Sequence, residues 1–597
     1  MSLRCLLIFV ALTVVAGAVS AIVPDAWADP VAVDLRVDAD RDGVLTAADE
    51  AGEEEATVDH GALVLANVDD DGGRCAVDLE RRLRARVKLV DITACHDGAD
   101  DVVDGADDAL DLAPAAVAPI AAPVTISATG PVHVFVQDAA GRWSLATDRP
   151  LDATDGLRLG VEVTDIVRDP ARWDGTVRLT ATAPAAAPDT VALRTAPLLA
   201  LDATRRARTV LADTPRSRAS IDRDYRSEVR RNLRLGRDRA TARARARGIR
   251  AFALGQRAFL RGLDQATGVK VRHQDWAREW VQDAFESTYQ SVPAAGGRAQ
   301  AMRVALMAGT PIEPAAILPT NPLVAIVAGV TRNLRGADSG VVQHLPEGRP
   351  TTDGWTTTGT MEATPPVPGA PRGRLIVGGR GQALPAATAA LVAAQGGAQP
   401  LLQLSTGWLD VGHTDETLAF VPARTARGWV AVVADPRGAL DLLGKLPGDT
   451  PVLGGLRGLD GASAATTARA VTHGRVAAAS RFAAERIDEQ LTILRRELEL
   501  TDADVVRVPV LYGWKEGHRH VVAFTGNAVN GLAPGGRRFL APDPHVAAFR
   551  EATRRALAAK GVATRFVDTW PLPHLGDGEL HCMTNALRDL GDARWWG

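Results

Sequence analysis

Trp408-Leu409-Asp410-Val411-Gly412-His413-Thr414-Asp415-Glu416 is the stretch on which the fold of this chain turns. It sets an imidazole and a carboxylate two positions apart, directly after a glycine. In an extended segment, residues i and i+2 point to one face. The spacing therefore predicts a strand end that offers His413 and Asp415 to a single pocket. Apolar runs lie on both sides. Arg374–Gly379 and Trp429–Val433 read as buried strands, and Ile487, Leu491, Leu494 and Leu498 recur at helical spacing. From about Arg250 to the end, strands and helices alternate, as in an α/β domain. Pro311 to Ala328, rich in Pro and Ala, reads as an inserted loop or short helix.

Upstream the pattern changes. Val132–Val136, Leu157–Val163 and Thr176–Thr180 alternate apolar and polar residues between Gly, Pro and Asp turns. That is the signature of half-buried strands and predicts an all-β sandwich. Val191–Pro197 reads as a strand leading into the next domain. Between the two regions, arginines from Arg230 to Arg250 punctuate Ala and Leu without proline, which predicts a helix with a basic face. A solvated helix, a dock for an acidic partner and a substrate for the protein's own chemistry all fit it.

The chain has 597 residues, 46 % apolar and 23 % charged, with a formal net charge of -4. Its length predicts several domains. Its near-neutral charge argues against a nucleic-acid or membrane-surface protein overall. Arg4, the apolar run Leu6–Val19 and Ala26-Trp27-Ala28 before Asp29 form an export signal, so the mature protein is expected to be secreted from about Asp29. Domain bounds of 1–28 (signal), 29–196 (sandwich) and 197–597 (catalytic) follow. Of four cysteines, Cys5 leaves with the signal, and Cys75 and Cys95 suit a disulfide in an oxidising compartment. Cys582 is left over as a candidate nucleophile.

Asp38-Ala39-Asp40-Arg41-Asp42-Gly43, continued to Asp49, has the ligand spacing of a calcium loop. Asn67-Val68-Asp69-Asp70-Asp71-Gly72 and the aspartates from Asp97 to Asp111 are two further acidic clusters. So many carboxylates repel one another unless a cation joins them.

Two more segments carry chemistry: Trp280-Val281-Gln282-Asp283 and Gly578-Glu579-Leu580-His581-Cys582-Met583-Thr584-Asn585. A thiol, an imidazole and two carboxylates suit hydrolysis of a guanidinium, a planar cation that carboxylates grip bidentately. Asp283 and Asp415 would clamp the nitrogens. Cys582 would attack the carbon and His413 would protonate departing ammonia.

On these segments, and on Thr364-Pro365-Pro366-Val367, Arg495-Arg496-Glu497-Leu498 and Trp595-Trp596, the chain resembles the protein-arginine deiminases, calcium-dependent enzymes that citrullinate peptidyl arginine. The resemblance implies a pentein catalytic domain, a five-fold α/β propeller, behind a calcium-binding immunoglobulin-like domain. The family's additional first immunoglobulin-like domain has no counterpart here. It implies Cys582 as nucleophile, His413 as acid/base, Asp283 and Asp415 as guanidinium ligands, and Trp280 and Val411 along the substrate channel. It implies calcium ligands at Gln282, Glu286 and Glu362 with backbone oxygens of Thr358 and Met361. In the N-terminal domain it implies Asn67, Asp69, Asp71, Asp108 and Asp111, with Asp338 between domains. Arginine-containing proteins or peptides would be the partners, with neither nucleic acid nor, after signal cleavage, membrane. Two family features are missing: the acidic residue after the catalytic aspartate is Ala284, and the Asp-Ser-x-Arg-x-Arg loop has no counterpart in Ala299 to Ala328. The second invites another reading, a deiminase of free arginine or a small guanidine. A catalytically inactive calcium-binding adhesion protein is the third.

Overall fold

The computed structural model describes residues 32–84, 90–275, 280–307, 322–344, 358–379, 384–458, 463–515, 517, 519–570 and 572–596. The expected signal at 1–28 lies outside them, as does most of the insertion expected over 311–328. What is described there is the start of a helix, Pro322–Leu334.

Ten strands between Leu35 and Thr195 form two five-stranded sheets. One runs, in spatial order, Leu35–Val37, Ala113–Val117, Leu157–Val163, Val132–Gln137 and Trp143–Leu145. The other runs Ala62–Val64, Asp189–Thr195, Thr176–Thr182, Pro123–Thr129 and Pro150–Asp152. Alternation decides which face is inside: Val177, Leu179 and Ala181 are buried while Arg178 faces out. They meet Val124, Ile126, Val134 and Val161 in one core. The strand around Val191 belongs to this sandwich, pairing with Thr176–Thr182, and does not lead out of it. The Asp38–Asp49 loop lies between strands Leu35–Val37 and Ala62–Val64, and the two later acidic clusters lie on the segment that crosses from Ala62–Val64 in one sheet to Ala113–Val117 in the other. Cys75 and Cys95 are joined there as a disulfide.

From Ala207 onward a unit recurs: an antiparallel strand pair, a helix, then a strand parallel to the second. Parallel neighbours need such a crossover. Glu286–Ala294, Arg298–Met307 and Ser339–Gln343 make one unit, with helix Pro322–Leu334 as crossover. Met361–Ala363, Leu375–Gly379 and Leu401–Ser405 make the next, with helix Ala386–Ala394. Leu418–Pro422, Trp429–Ala434 and Val505–Val508 make another, with helix Arg475–Glu497 among its crossovers. Arg538–Pro542 and Ala563–Val567 pair in parallel around helix Ala547–Ala558, and Leu532 bridges antiparallel to Leu540.

The remaining unit is split. Ala207–Asp213 lies parallel to Lys270–Gln274, but its antiparallel partner is Thr584–Arg588, from the far end of the chain. Five units closed by the C-terminal strand are the architecture of a five-bladed propeller. Trp429–Ala434 is buried along its whole length, as a central strand covered on both faces must be.

The arginine-rich segment is two helices and not one. Arg218–Arg234 ends before Gly236, whose φ of 76° lets the chain reverse, and Asp238 caps Arg239–Thr267.

Candidate active site

Cys582 sits in a tight turn leading into strand Thr584–Arg588. Thr584 N–H donates to His581 O at 3.0 Å. Glu579 anchors the turn from inside, accepting from the Asn527 amide at 2.9 Å and pairing with His574 Nδ1 at 2.8 Å. Asn530 holds the nucleophile itself. Its Oδ1 accepts from His581 N–H at 3.0 Å and its Nδ2 approaches Cys582 Sγ at 3.3 Å.

His413 and Asp415 do not share a strand end. His413 caps a 3₁₀ turn, Thr414–Glu416, that contains Asp415. The turn forms because Glu416 reaches back, its Oε1 accepting from the Gly412 and His413 amides at 2.8 Å each. A buried carboxylate therefore takes the place of strand pairing in aiming the two side chains. Glu416 is in turn held through its carbonyl by Tyr512 Oη at 2.9 Å and Asn527 Nδ2 at 2.8 Å.

The convergence predicted from sequence is present. Ligand atoms of His413, Asp415 and Cys582 lie within 4.8 Å of one another. Asp283 Oδ1 is 3.8 Å from His413 Nδ1, and Cys582 Sγ is 3.6 Å from Asp415 Oδ2. Gln282 N–H donates to Cys582 O at 3.2 Å, tying the two segments by backbone. Gly359 closes the site: a Cβ there would stand 2.3 Å from the His413 ring and 2.8 Å from Asp283 Oδ1. Trp280 is half-buried against the Gly576–Gly578 backbone, where a Cβ on Gly578 would sit 2.3 Å from the ring. Val411 is half-buried in the loop before His413.

Electrostatics favours a cationic visitor. Burial pushes the Cys582 thiol well above its ordinary pKa, and Asp415 and Asp283 push it further. A thiol among two carboxylates stays neutral until positive charge arrives.

Beneath this group Gln282, Glu286, Glu362 and Arg588 line one cleft with His581. Glu286 is raised far above the carboxylate range by burial and by Glu362; burial brings Glu362 to about 7. Gln282 Nε2 is 3.1 Å from Glu286 Oε2, and Thr358 Oγ1 donates to Gln282 O at 2.6 Å. Met361 opens the strand that carries Glu362. His581, unassigned by sequence reasoning, links this cluster to the chemistry. Its Nδ1 is 2.8 Å from Asp415 Oδ2 and its Nε2 3.7 Å from Glu362 Oε1. Burial opposes its charge, but the Asp415 hydrogen bond and Glu362 outweigh burial and raise its pKa.

The acidic clusters differ in fitness for a cation. Both carboxylate oxygens of Asp69 and of Asp71, Asp111 Oδ2 and Asn67 Oδ1 are buried with no hydrogen-bond partner among the described residues. Asp69, Asp71 and Asp111 lie within 4.8 Å, and so do Asp71, Asp97 and Asp108. Burial first, then mutual repulsion, lifts Asp69 to about 10 and Asp71 to about 7. Hard, unpartnered oxygens at this density fit calcium. Gln300 ties Asp111 to Asp338, donating at 2.7 and 2.9 Å, so Asp338 does stand at the domain boundary. Asp97 belongs to the second triplet and was not among the ligands expected.

In the loop expected from spacing, Asp38, Asp40 and Asp49 meet, but Asp42 does not. Asp42 Oδ1 instead accepts from the Val44 amide at 2.7 Å. Asp49 is spent on the Ala39 and Thr46 amides, at 2.9 and 2.7 Å. Short backbone loops offer such amides closer than any ion, and sequence spacing does not register them.

Lys515 pairs with Asp577 and lies 3.5 Å from Asp410. These carboxylates sit five residues before Cys582 and three before His413.

The chain has relatives among known proteins. The mouse protein-arginine deiminase type-3 is 29% identical over 284 residues, 44% of this chain and 42% of the relative. Mouse type-4 is 28% identical over 262 residues, 40% and 38% respectively. The chain thus aligns with less than half the length of these relatives. Among solved structures, C. jejuni agmatine deiminase superposes over 66% of this chain and 96% of its own, at 10% identity and a TM-score of 0.33. Residues 185–597, which hold all four candidate catalytic residues and every propeller unit, match the family model for Protein-arginine deiminase (PAD); the chain belongs to the protein-arginine deiminase family.

Proposed function

We propose that this protein is a secreted, calcium-dependent hydrolase that converts arginine in proteins or peptides to citrulline, releasing ammonia. The observation that carries the reading is the meeting of buried Cys582, His413 and Asp415 with half-buried Asp283, from three distant segments, in one group.

A guanidinium entering past Trp280 and Val411 brings the charge the site lacks. Asp283 and Asp415 accept hydrogen bonds from its nitrogens and fix its plane. Its positive charge lowers the thiol pKa, and the thiolate of Cys582 attacks the central carbon. His413 donates a proton to the departing nitrogen, which leaves as ammonia. The thiouronium left on Cys582 is then attacked by water, with His413 taking the water's proton. The carbon–sulfur bond breaks, giving citrulline and free thiol. Asn530 and His581 orient the two reacting ends. They are positioning residues.

Calcium, when bound, supplies positive charge that offsets the buried carboxylates. Gln282, Glu286 and Glu362, with Thr358 and Met361, would hold it below the pocket. Asn67, Asp69, Asp71, Asp108, Asp111 and Asp338 would hold it in the sandwich, which we read as immunoglobulin-like. The orphaned oxygens of Asp69 and Asp71 support this.

A colorimetric ureido assay on an arginyl peptide, with calcium and with chelator, tests the proposal. Citrulline only with calcium is expected; equal rates would remove the calcium requirement. Deimination of free arginine in preference to a blocked arginine derivative would favour the small-guanidine reading, which the missing Asp-Ser-x-Arg-x-Arg loop motivates.

A further inference from the structure

Four of the five units cross between parallel strands with helices that bury an apolar face. The split unit carries an extra one. Helix Arg218–Arg234 packs chiefly on Arg239–Thr267 and buries only Ile221 and Asn232. Between Arg218 and Arg261 the chain has fourteen arginines, four acidic residues and no lysine. In a chain of net charge -4, that is a strong local concentration, invisible in the sum. Arg250 pairs with Asp222 and Arg231 with Glu228, but Arg226, Arg230, Arg234, Arg239, Arg243 and Arg247 are exposed with no ion pair among the described residues.

The apolar stripe of the first helix adds a second observation. Ile221, Tyr225, Val229 and Leu233 follow one another at i, i+4 spacing, on one face. Exposure grows along it: Ile221 is buried, Tyr225 and Val229 half-buried, and Leu233 40 % exposed. Leu235, at the reversal, is 62 % exposed. Ile249, on the second helix, is also exposed. Three of the seven exposed large hydrophobics among the described residues thus lie on this hairpin.

We propose that the hairpin is a docking surface for an anionic lipid bilayer. Leu233 and Leu235 enter the headgroup layer, and the unpaired arginines around them lie over lipid phosphates. Apolar tip and basic flank together are what interfacial helices use. A nucleic acid would need the arginines but would have no use for the exposed leucines.

The test is vesicle co-sedimentation of the chain from Asp29 onward, which removes the apolar leader as a competing anchor. Vesicles of phosphatidylcholine alone and of phosphatidylcholine with phosphatidylglycerol are compared at low and high salt. Binding to the anionic vesicles only, lost at high salt, is expected. Arg230→Gln, Arg234→Gln and Arg239→Gln together should weaken it roughly a hundredfold, and Leu233→Ser with Leu235→Ser about tenfold. Both variants should keep wild-type circular dichroism and deimination, because these side chains are outside the pocket. No binding to anionic vesicles, or equal binding to neutral ones, overturns the proposal. So does equally tight binding to duplex DNA that the leucine changes leave untouched, which would make the hairpin a nucleic-acid surface.

Discussion

The sandwich and the propeller each bury more carboxylates than they can neutralise, and they leave the deficit open in different ways. In the sandwich, Asp69, Asp71 and Asp111 face one another, and among the described residues both oxygens of Asp69 and Asp71 and Oδ2 of Asp111 have no hydrogen-bond partner. In the pocket, Asp415 hydrogen-bonds to His581 and Asp283 stands beside His413. On the proposed reading, the first group takes an ion that stays, while the second is held in shape by its neighbours and takes positive charge only with a substrate. One deficit would then serve stability, the other turnover.

The strongest way to break this contrast is Cys582→Ala. It should abolish ammonia release, by at least about a thousandfold, while the calcium-induced rise in melting temperature survives. Loss of both would mean the regions are not separable.

Next in size, Asp283→Asn or Asp415→Asn should lower kcat/KM for an arginyl peptide about a hundredfold to a thousandfold, since each removes a charged acceptor for the guanidinium. A loss below tenfold would contradict the clamp.

The sandwich is probed by pH. Asp71 at about 7 and Asp111 at about 8 lie above the value of about 3.8 expected unfolded. The folded state then binds more protons, so its stability falls as pH rises from about 4 towards 8. In chelator, the melting temperature should drop across that window. With calcium the drop should shrink, because the metal holds the ionised form. A flat profile in chelator would remove the sandwich cluster as a source of instability.

His581→Gln sharpens the contrast at its seam, since His581 touches both Asp415 and Glu362. A tenfold or so loss of kcat is expected, with a higher calcium midpoint. Smallest of all, Lys515→Met should change KM for free arginine a few-fold and leave a blocked arginine amide unaffected.

Much of the site was legible because its chemistry is local in sequence. Cys582, His413, Asp415 and Asp283 each lie in a segment dense with reactive types, and guanidinium chemistry with the family resemblance suggested a shared pocket; the spacing of His413 and Asp415 suggested a strand end, where the structure has a 3₁₀ turn. Asn530 and Glu416 were not legible. An asparagine beside a thiol, or a glutamate folded back on its own loop, is made functional by contacts across many residues, and neither differs in sequence from an ordinary polar residue. The sandwich strands could be read from alternation. The single basic helix could not be read as a hairpin, because Gly236 is tolerated within a helix and only tertiary packing decides that the chain reverses there.

The last strand, Thr584–Arg588, begins two residues after the nucleophile and zips against Ala207–Asp213. Synthesis from the N-terminus therefore brings seam and sulfur out together, after the other four units. A chain interrupted before that point would be an open ring that lacks Cys582, so closure of the ring and arrival of the thiol coincide.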